Sequence, residues 1–189
     1  MLRESLKLSR DVGDRWLSSY PTRILGIVAA NQSDYDAATS LLEESLAIER
    51  EIGDKWATAQ SLSALAYVAY KQKNYKRAVT LLNESLVLRK ESESKPGIAE
   101  CFERLGMVAA ELGRQERAAR LLGAAEALRK AIGAPVYTVD RADHERAAAS
   151  IRSGSAAKGL DRAWAEGRAM TLEQAIEYAL ADRPEVTTP

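Results

Sequence analysis

The strongest constraint on this chain is that it repeats itself. Leu41-Leu42-Glu43-Glu44-Ser45-Leu46 returns 40 residues later as Leu81-Leu82-Asn83-Glu84-Ser85-Leu86. A partial copy stands earlier as Leu2-Arg3-Glu4-Ser5-Leu6, and Gly13-Asp14-Arg15-Trp16 matches Gly53-Asp54-Lys55-Trp56. A fixed period of this length belongs to stacked supersecondary units, each too small to bury its apolar face alone.

Apolar residues within each period fall at three- and four-residue steps, which predicts two helices per unit. Residues 1–12 read as one helix, closed by Gly13, with Asp14 able to cap the next. This helix matches the second half of a repeat, so the first half is missing. Either Met1 is an internal start or the chain was cut from something longer. The next unit has a first helix over 16–31, with Pro21 tolerated in or near the first turn. After a turn at Ser33-Asp34, a second helix over 35–52 is expected to bury Ala38, Leu41, Leu42, Ser45, Ile48 and Ile52. Glu43, Glu44, Glu49 and Glu51 read as its solvated side. The third unit runs from Trp56 to Lys71 and, after an Asn74 cap, from Tyr75 to Lys90. The fourth replaces the Trp region with Pro96-Gly97, turns at Gly113 and ends at Ile132-Gly133.

After Ala134-Pro135 the period stops. Helices are expected from Asp140 to Arg152, over 156–167, and after the capping-box pattern Thr171-Leu-Glu-Gln174. The expected division is repeats over 1–133 with the first truncated, a helical C-terminal cap over 134–182, and a flexible tail over 183–189.

Composition narrows the function classes. Hydrophobic residues make up 46% but aromatics only 6%, so the core is mostly Leu, Ala, Ile and Val. Lys+Arg and Asp+Glu both count 27, which argues against nucleic-acid or membrane binding through bulk charge. The single cysteine, Cys101, excludes an internal disulfide and a thiolate zinc site. No apolar run has signal-peptide length, and none reaches the roughly 20 residues of a membrane span. The expectation is a soluble, cytoplasmic protein.

Small residues mark fixed places in the units. Leu25-Gly26, Leu65-Ala66 and Leu105-Gly106 carry one on the first helix. Ala38, Ala78 and Ala118 follow, then Leu42, Leu82 and Leu122, then Ser45, Ser85 and Ala125. The turn reads Ser33-Asp34-Tyr35, Lys73-Asn74-Tyr75 and Gly113-Arg114-Gln115. This pattern resembles the tetratricopeptide repeat, with helices longer than its usual unit of about 34 residues. The closer resemblance is to the long-helix tetratricopeptide region of bacterial multidomain regulators, signalling ATPases that often carry a helix-turn-helix. It rests on Leu-Leu-Glu-Glu-Ser-Leu-Ala-Ile (41–48), on the run from Arg117 to Arg129 and on that from Ala163 to Ala175. No phosphate-binding Gly-x-x-x-x-Gly-Lys-Ser/Thr is present, so ATPase activity does not carry over. Direct DNA binding does not carry over either. The implied fold is all-α, an α-solenoid of antiparallel helix pairs with a helical cap.

Catalysis has no support in the residues. His144, the only histidine, lies among Asp143, Glu145 and Arg146, with no nucleophile or metal cluster spaced to meet it. It reads as a solvated surface histidine, and Cys101 as a packed or partly exposed thiol. No cofactor and no metal are expected. Trp16 and Trp56 start equivalent helices and read as packing between units, and Trp164 as docking the C-terminal helices. The resemblance implies a concave groove lined by the first helices. By register, the first contributes Tyr20, Arg23, Ile27 and Asn31, and the second Gln60, Ser63, Tyr67, Tyr70 and Lys71. The third contributes Glu100, Glu103, Met107 and Glu111. Ile27, Tyr67 and Met107 would form an apolar line, with charge shifting from basic to acidic along it. The Lys- and Asn-rich set that clamps a C-terminal carboxylate is absent. The expected function is a non-enzymatic interaction module that binds a protein or peptide partner, or a second copy of the chain. The alternative is a small-ligand sensor, with a pocket lined partly by the C-terminal helices.

Overall fold

The computed structural model describes residues 15–135, 141–153 and 157–181, together with Glu4. The helix expected over 1–12 lies outside the described residues except for Glu4, which is helical, and so do the tail over 183–189 and the side chain of Trp16. The described residues form nine α-helices and no strand. They are α1 (Arg15–Asn31), α2 (Tyr35–Ile52), α3 (Lys55–Lys71), α4 (Tyr75–Glu91), α5 (Lys95–Glu111) and α6 (Gln115–Ile132). Three shorter helices follow: α7 (Arg141–Ser153), α8 (Ala157–Ala169) and α9 (Leu172–Leu180).

The 40-residue period is a 20-residue period in the backbone. Left-handed residues occur at Ser33, Gly53, Lys73, Glu93, Gly113 and Gly133. The amide one residue further on reaches back five residues each time, as in Asp34 N→Ala29 O (3.0 Å), Asn74 N→Ala69 O (2.8 Å) and Ala134 N→Arg129 O (3.1 Å). This is the Schellman closure, which satisfies carbonyls the helix end leaves open. The next helix then starts at once. Asp34, Asp54 and Asn74 each accept the amide three residues on, from Ala37, Ala57 and Arg77. Thr171 and Gln174 form the reciprocal capping box that opens α9. Pro21 departs from expectation: it lies inside α1, beyond the first turn, where its ring forgoes the bond a residue there would make to the carbonyl of residue 17.

The chain divides into two compact units, residues 1–88 and 89–189. In the first, α1 packs on α2 and α2 on α3, around Ala38, Leu42, Leu46, Leu62, Leu65 and Val68. The small residue at Gly26 has a steric cause: a Cβ there would come within 2.7 Å of the Leu42 side chain. Hydroxyls tie the layers as well, with Ser85 Oγ donating to Ala59 O at 2.9 Å. On the outside, Arg77 pairs with Glu43 and Arg50 with Glu84, joining α2 to α4.

In the second unit α5 packs on α6, with Gly106 against Leu122 as Gly26 is against Leu42. Phe102, Met107, Leu121 and Leu122 are fully buried, and burial of a side chain of this size contributes about 1.5–3 kcal/mol. Helix α8 lies on α6 at very short range. A Cβ on Gly123 would stand 2.3 Å from the Trp164 carbonyl oxygen, and one on Gly167 would stand 2.0 Å from that of Arg120. Arg120 clips the same pair through Glu166 (Nη2–Oε2, 2.9 Å), and Trp164 Nε1 donates to Glu126. Arg117 of α6 donates to the carbonyls of Tyr178 and Ala179 (3.2 and 2.8 Å), closing the end of α9.

Candidate functional site

In the first unit, the Arg23 guanidinium lies over two rings, 5.4 Å from the centroid of Tyr20 and 5.5 Å from that of Trp56. Both rings are open to solvent, Tyr20 at 58% and Trp56 at 54%, with Leu17 exposed nearby in sequence. Trp56 therefore meets an arginine of the preceding repeat, as packing between units requires, but its ring stays largely open to solvent. Beneath the rings, Arg23 Nε donates to Glu49 Oε1 at 3.1 Å, and both residues are buried. Ser45 Oγ also stands 2.7 Å from that oxygen. The expectation that Glu49 faces water is overturned. Residues 38, 42, 45 and 49 share one helical stripe, so Glu49 points where Ala38, Leu42 and Ser45 point.

The same place in the second unit carries the opposite polarity. Glu103 accepts both bonds of a forked pair from Arg129, Nε→Oε1 and Nη2→Oε2, each 2.9 Å, with both side chains buried. Eighty residues separate Arg23 from Glu103 and Glu49 from Arg129, two full periods each. One structural position thus holds a buried ion pair in either orientation.

The thirteen residues expected to line a groove divide by exposure. Tyr20, Asn31 and Glu111 are exposed, and Ile27, Gln60, Tyr67 and Lys71 are half-buried. Arg23, Ser63, Tyr70, Glu100, Glu103 and Met107 are buried. The structure brings Tyr20 to Arg23, and Lys71 Nζ to within 5.7 Å of the Tyr67 ring. Met107 is 1% exposed, so it offers no surface to a ligand. Glu100 and Glu103 are engaged inside the second unit, Glu100 by Arg89 (3.1 Å) and Arg104 (2.9 Å).

The second unit also holds a cavity of about 710 Å³. The buried Glu103–Arg129 pair forms part of its wall, with Glu126 of α6, His144 and Glu145 of α7, and Trp164 of α8. Ala134, Pro135, Ala148 and Ala149 supply apolar lining. His144 is half-buried here and not a freely solvated residue, while its neighbour Asp143 is buried and paired with Arg146 at 3.1 Å. The sequence held one signal for this wall: His144 and Ala148 stand one turn apart on α7, so they share a face. Among the described residues, no group of three or more His, Cys, Asp or Glu side chains is placed to hold a metal ion. No described helix is long and apolar enough to cross a membrane. Cys101 is buried.

Paired helices on a fixed period, small residues at the crossings and Schellman turns between them define an α-helical repeat protein. The tetratricopeptide repeat model matches residues 17–91 and 57–131, more than half of the chain, and the chain belongs to that family. No curated protein is matched by the sequence. Tetratricopeptide repeats are in general protein–protein interaction modules, and the family is typically a non-catalytic scaffold.

Proposed function

We propose that this chain captures a protein or peptide partner on the first-helix face of its first unit. The observation that carries this reading is the exposed Tyr20–Arg23–Trp56 stack. Tyrosine, tryptophan and arginine dominate binding energy at protein interfaces, because each presents a large, stiff contact surface with a polar handle. Arg23 is fixed from below by Glu49, so the rings above it lose little conformational freedom on binding. Ile27, Gln60, Tyr67 and Lys71, all partly accessible, extend the contact, with Asn31 at the end of α1. Regulation of a bacterial signalling protein, as the long-helix resemblance implies, and pairing with a second copy of the chain are both served by such a face.

The test starts from a displayed peptide library selected on the wild-type chain. Tyr20→Ala and Trp56→Ala should each weaken the selected peptides about tenfold or more, the loss of roughly 1.4 kcal/mol or more expected of a hot-spot ring. Because both rings are exposed, melting should stay near wild type. Peptide binding that survives both changes places the contact elsewhere. Sedimentation across a range of protein concentrations distinguishes a foreign partner from self-association.

A second reading is favoured by a separate observation. The cavity of about 710 Å³ has a size typical of small-molecule sites and a mixed apolar and charged lining. It supports a small-ligand site within the second unit, lined partly by the C-terminal helices.

A further inference from the structure

We propose that the cavity of the second unit recognises an organic cation: a protonated or quaternary amine, or a guanidinium, carried on an apolar body. This rests on the small-ligand reading and names its chemistry.

The charge of the lining decides the class. Glu103 and Arg129 neutralise each other through two parallel bonds inside the wall. Glu126 and Glu145 remain as lining carboxylates with no second guanidinium among the lining residues to offset them. Arg168 of α8 pairs with Glu126 at 3.9 Å and offsets part of its charge, so the net negative excess rests mainly on Glu145. An anionic ligand would meet this excess of negative charge, which solvent screens in part because Glu126 and Glu145 are both exposed. A cation is drawn to it.

The rings and the apolar lining decide the rest. Trp164 lines the cavity, and its indole N–H is committed to Glu126. That bond holds the ring in place and aligns a carboxylate beside the best side chain for a cation–π contact. His144 adds a second ring. Ala148, Ala149 and Pro135 bring apolar surface without polar atoms that a ligand would leave unsatisfied. Their small size accounts for part of the room available. An aromatic ring, flanking carboxylates and apolar walls match a cation with hydrocarbon substituents, and a simple hydrated metal ion would leave most of the volume unused. The cation can arrive as a free small molecule or as the Lys or Arg side chain of a bound peptide.

The experiment uses the full chain and follows the Trp164 indole N–H resonance, assigned with Trp164→Phe, alongside calorimetry. The probes are benzyltrimethylammonium, the anion benzoate and neutral benzyl alcohol. Benzyltrimethylammonium is expected to shift the Trp164 signal and bind, with the other two inert. Glu145→Gln and Glu126→Gln should each weaken it roughly three- to tenfold, the scale of one partly screened charge contact. Glutamine at 126 keeps an acceptor for the indole, and melting curves check that both variants fold. Comparable binding of acetyl-Gly-Lys-Gly-amide or acetyl-Gly-Arg-Gly-amide assigns the cation to a peptide side chain. Binding of benzyltrimethylammonium alone assigns it to a free small molecule. Benzoate binding at Trp164 without the cation overturns the assignment while leaving the cavity a ligand site. If none of the three probes moves the signal, both the class and the site fall. Cation binding that both glutamine variants leave unchanged also overturns the proposal.

Discussion

At the scale of single residues, the buried ion pairs carry the clearest energetic consequences. Removing one member of a buried pair leaves the other desolvated and uncompensated, at a cost of about 3–5 kcal/mol. Glu103→Leu should therefore lower stability by about that much in chemical denaturation. Arg23 and Glu49 allow a sharper test, because the equivalent place in the second unit already holds the reversed pair. Arg23→Glu or Glu49→Arg alone should be severely destabilising. The double exchange should recover much of the loss, which a double-mutant cycle would register as a coupling of more than about 1 kcal/mol. A gentler electrostatic prediction concerns Glu166. Hydrogen bonds from Arg120 and then Arg162 hold its carboxyl below the ordinary glutamate range. A depressed native value means that its contribution is present above the unfolded value of about 4.3 and fades as pH falls through the lower native one. The stability difference between wild type and Glu166→Gln, followed by melting, should accordingly shrink in acid and be constant near neutrality.

At the scale of elements, the turns and the glycine crossings are separable. The six left-handed positions are geometrically equivalent, yet only three are glycine. A side chain in that conformation costs about 1–2 kcal/mol, and glycine's extra unfolded freedom offsets part of the gain from removing it. Lys73→Gly and Glu93→Gly should stabilise by about 0.5–1 kcal/mol, while Gly53→Ala should destabilise by about 1 kcal/mol. Thermal melting of the three variants reads both signs. The α6–α8 crossing has less tolerance. A methyl on Gly123 or Gly167 would collide with backbone, which cannot rotate away as a side chain can. Gly167→Ala should cost about 1–3 kcal/mol or displace α8, and loss of the protected Trp164 indole signal would reveal the displacement.

For the molecule as a whole, the repeat made the helices legible. Two helices per 40 residues, the caps at Asp34 and Asn74, the box at Thr171 and the small residues at Gly26 and Gly106 all stand in the structure where periodicity and local chemistry put them. These are decided within one or two turns of chain, or recur often enough to average out exceptions. The candidate surfaces were less legible. Glu49 reads as one more acid on an acidic helix, and the approach of Arg23, 26 residues earlier, together with the Ser45 hydroxyl makes its burial tolerable. Met107 shares the register of Ile27 and Tyr67 but is covered, because identical sequence positions need not have identical neighbours. His144 reads as solvated because α7 belongs to no repeat, and the other walls of its cavity come from α5, α6 and α8. The sequence alone determined helix pairs on a 40-residue period and the small residues that let helices touch. Tertiary structure decided which charges are buried, which rings stay at the surface and where a cavity opens, since these depend on contacts between residues far apart in the chain.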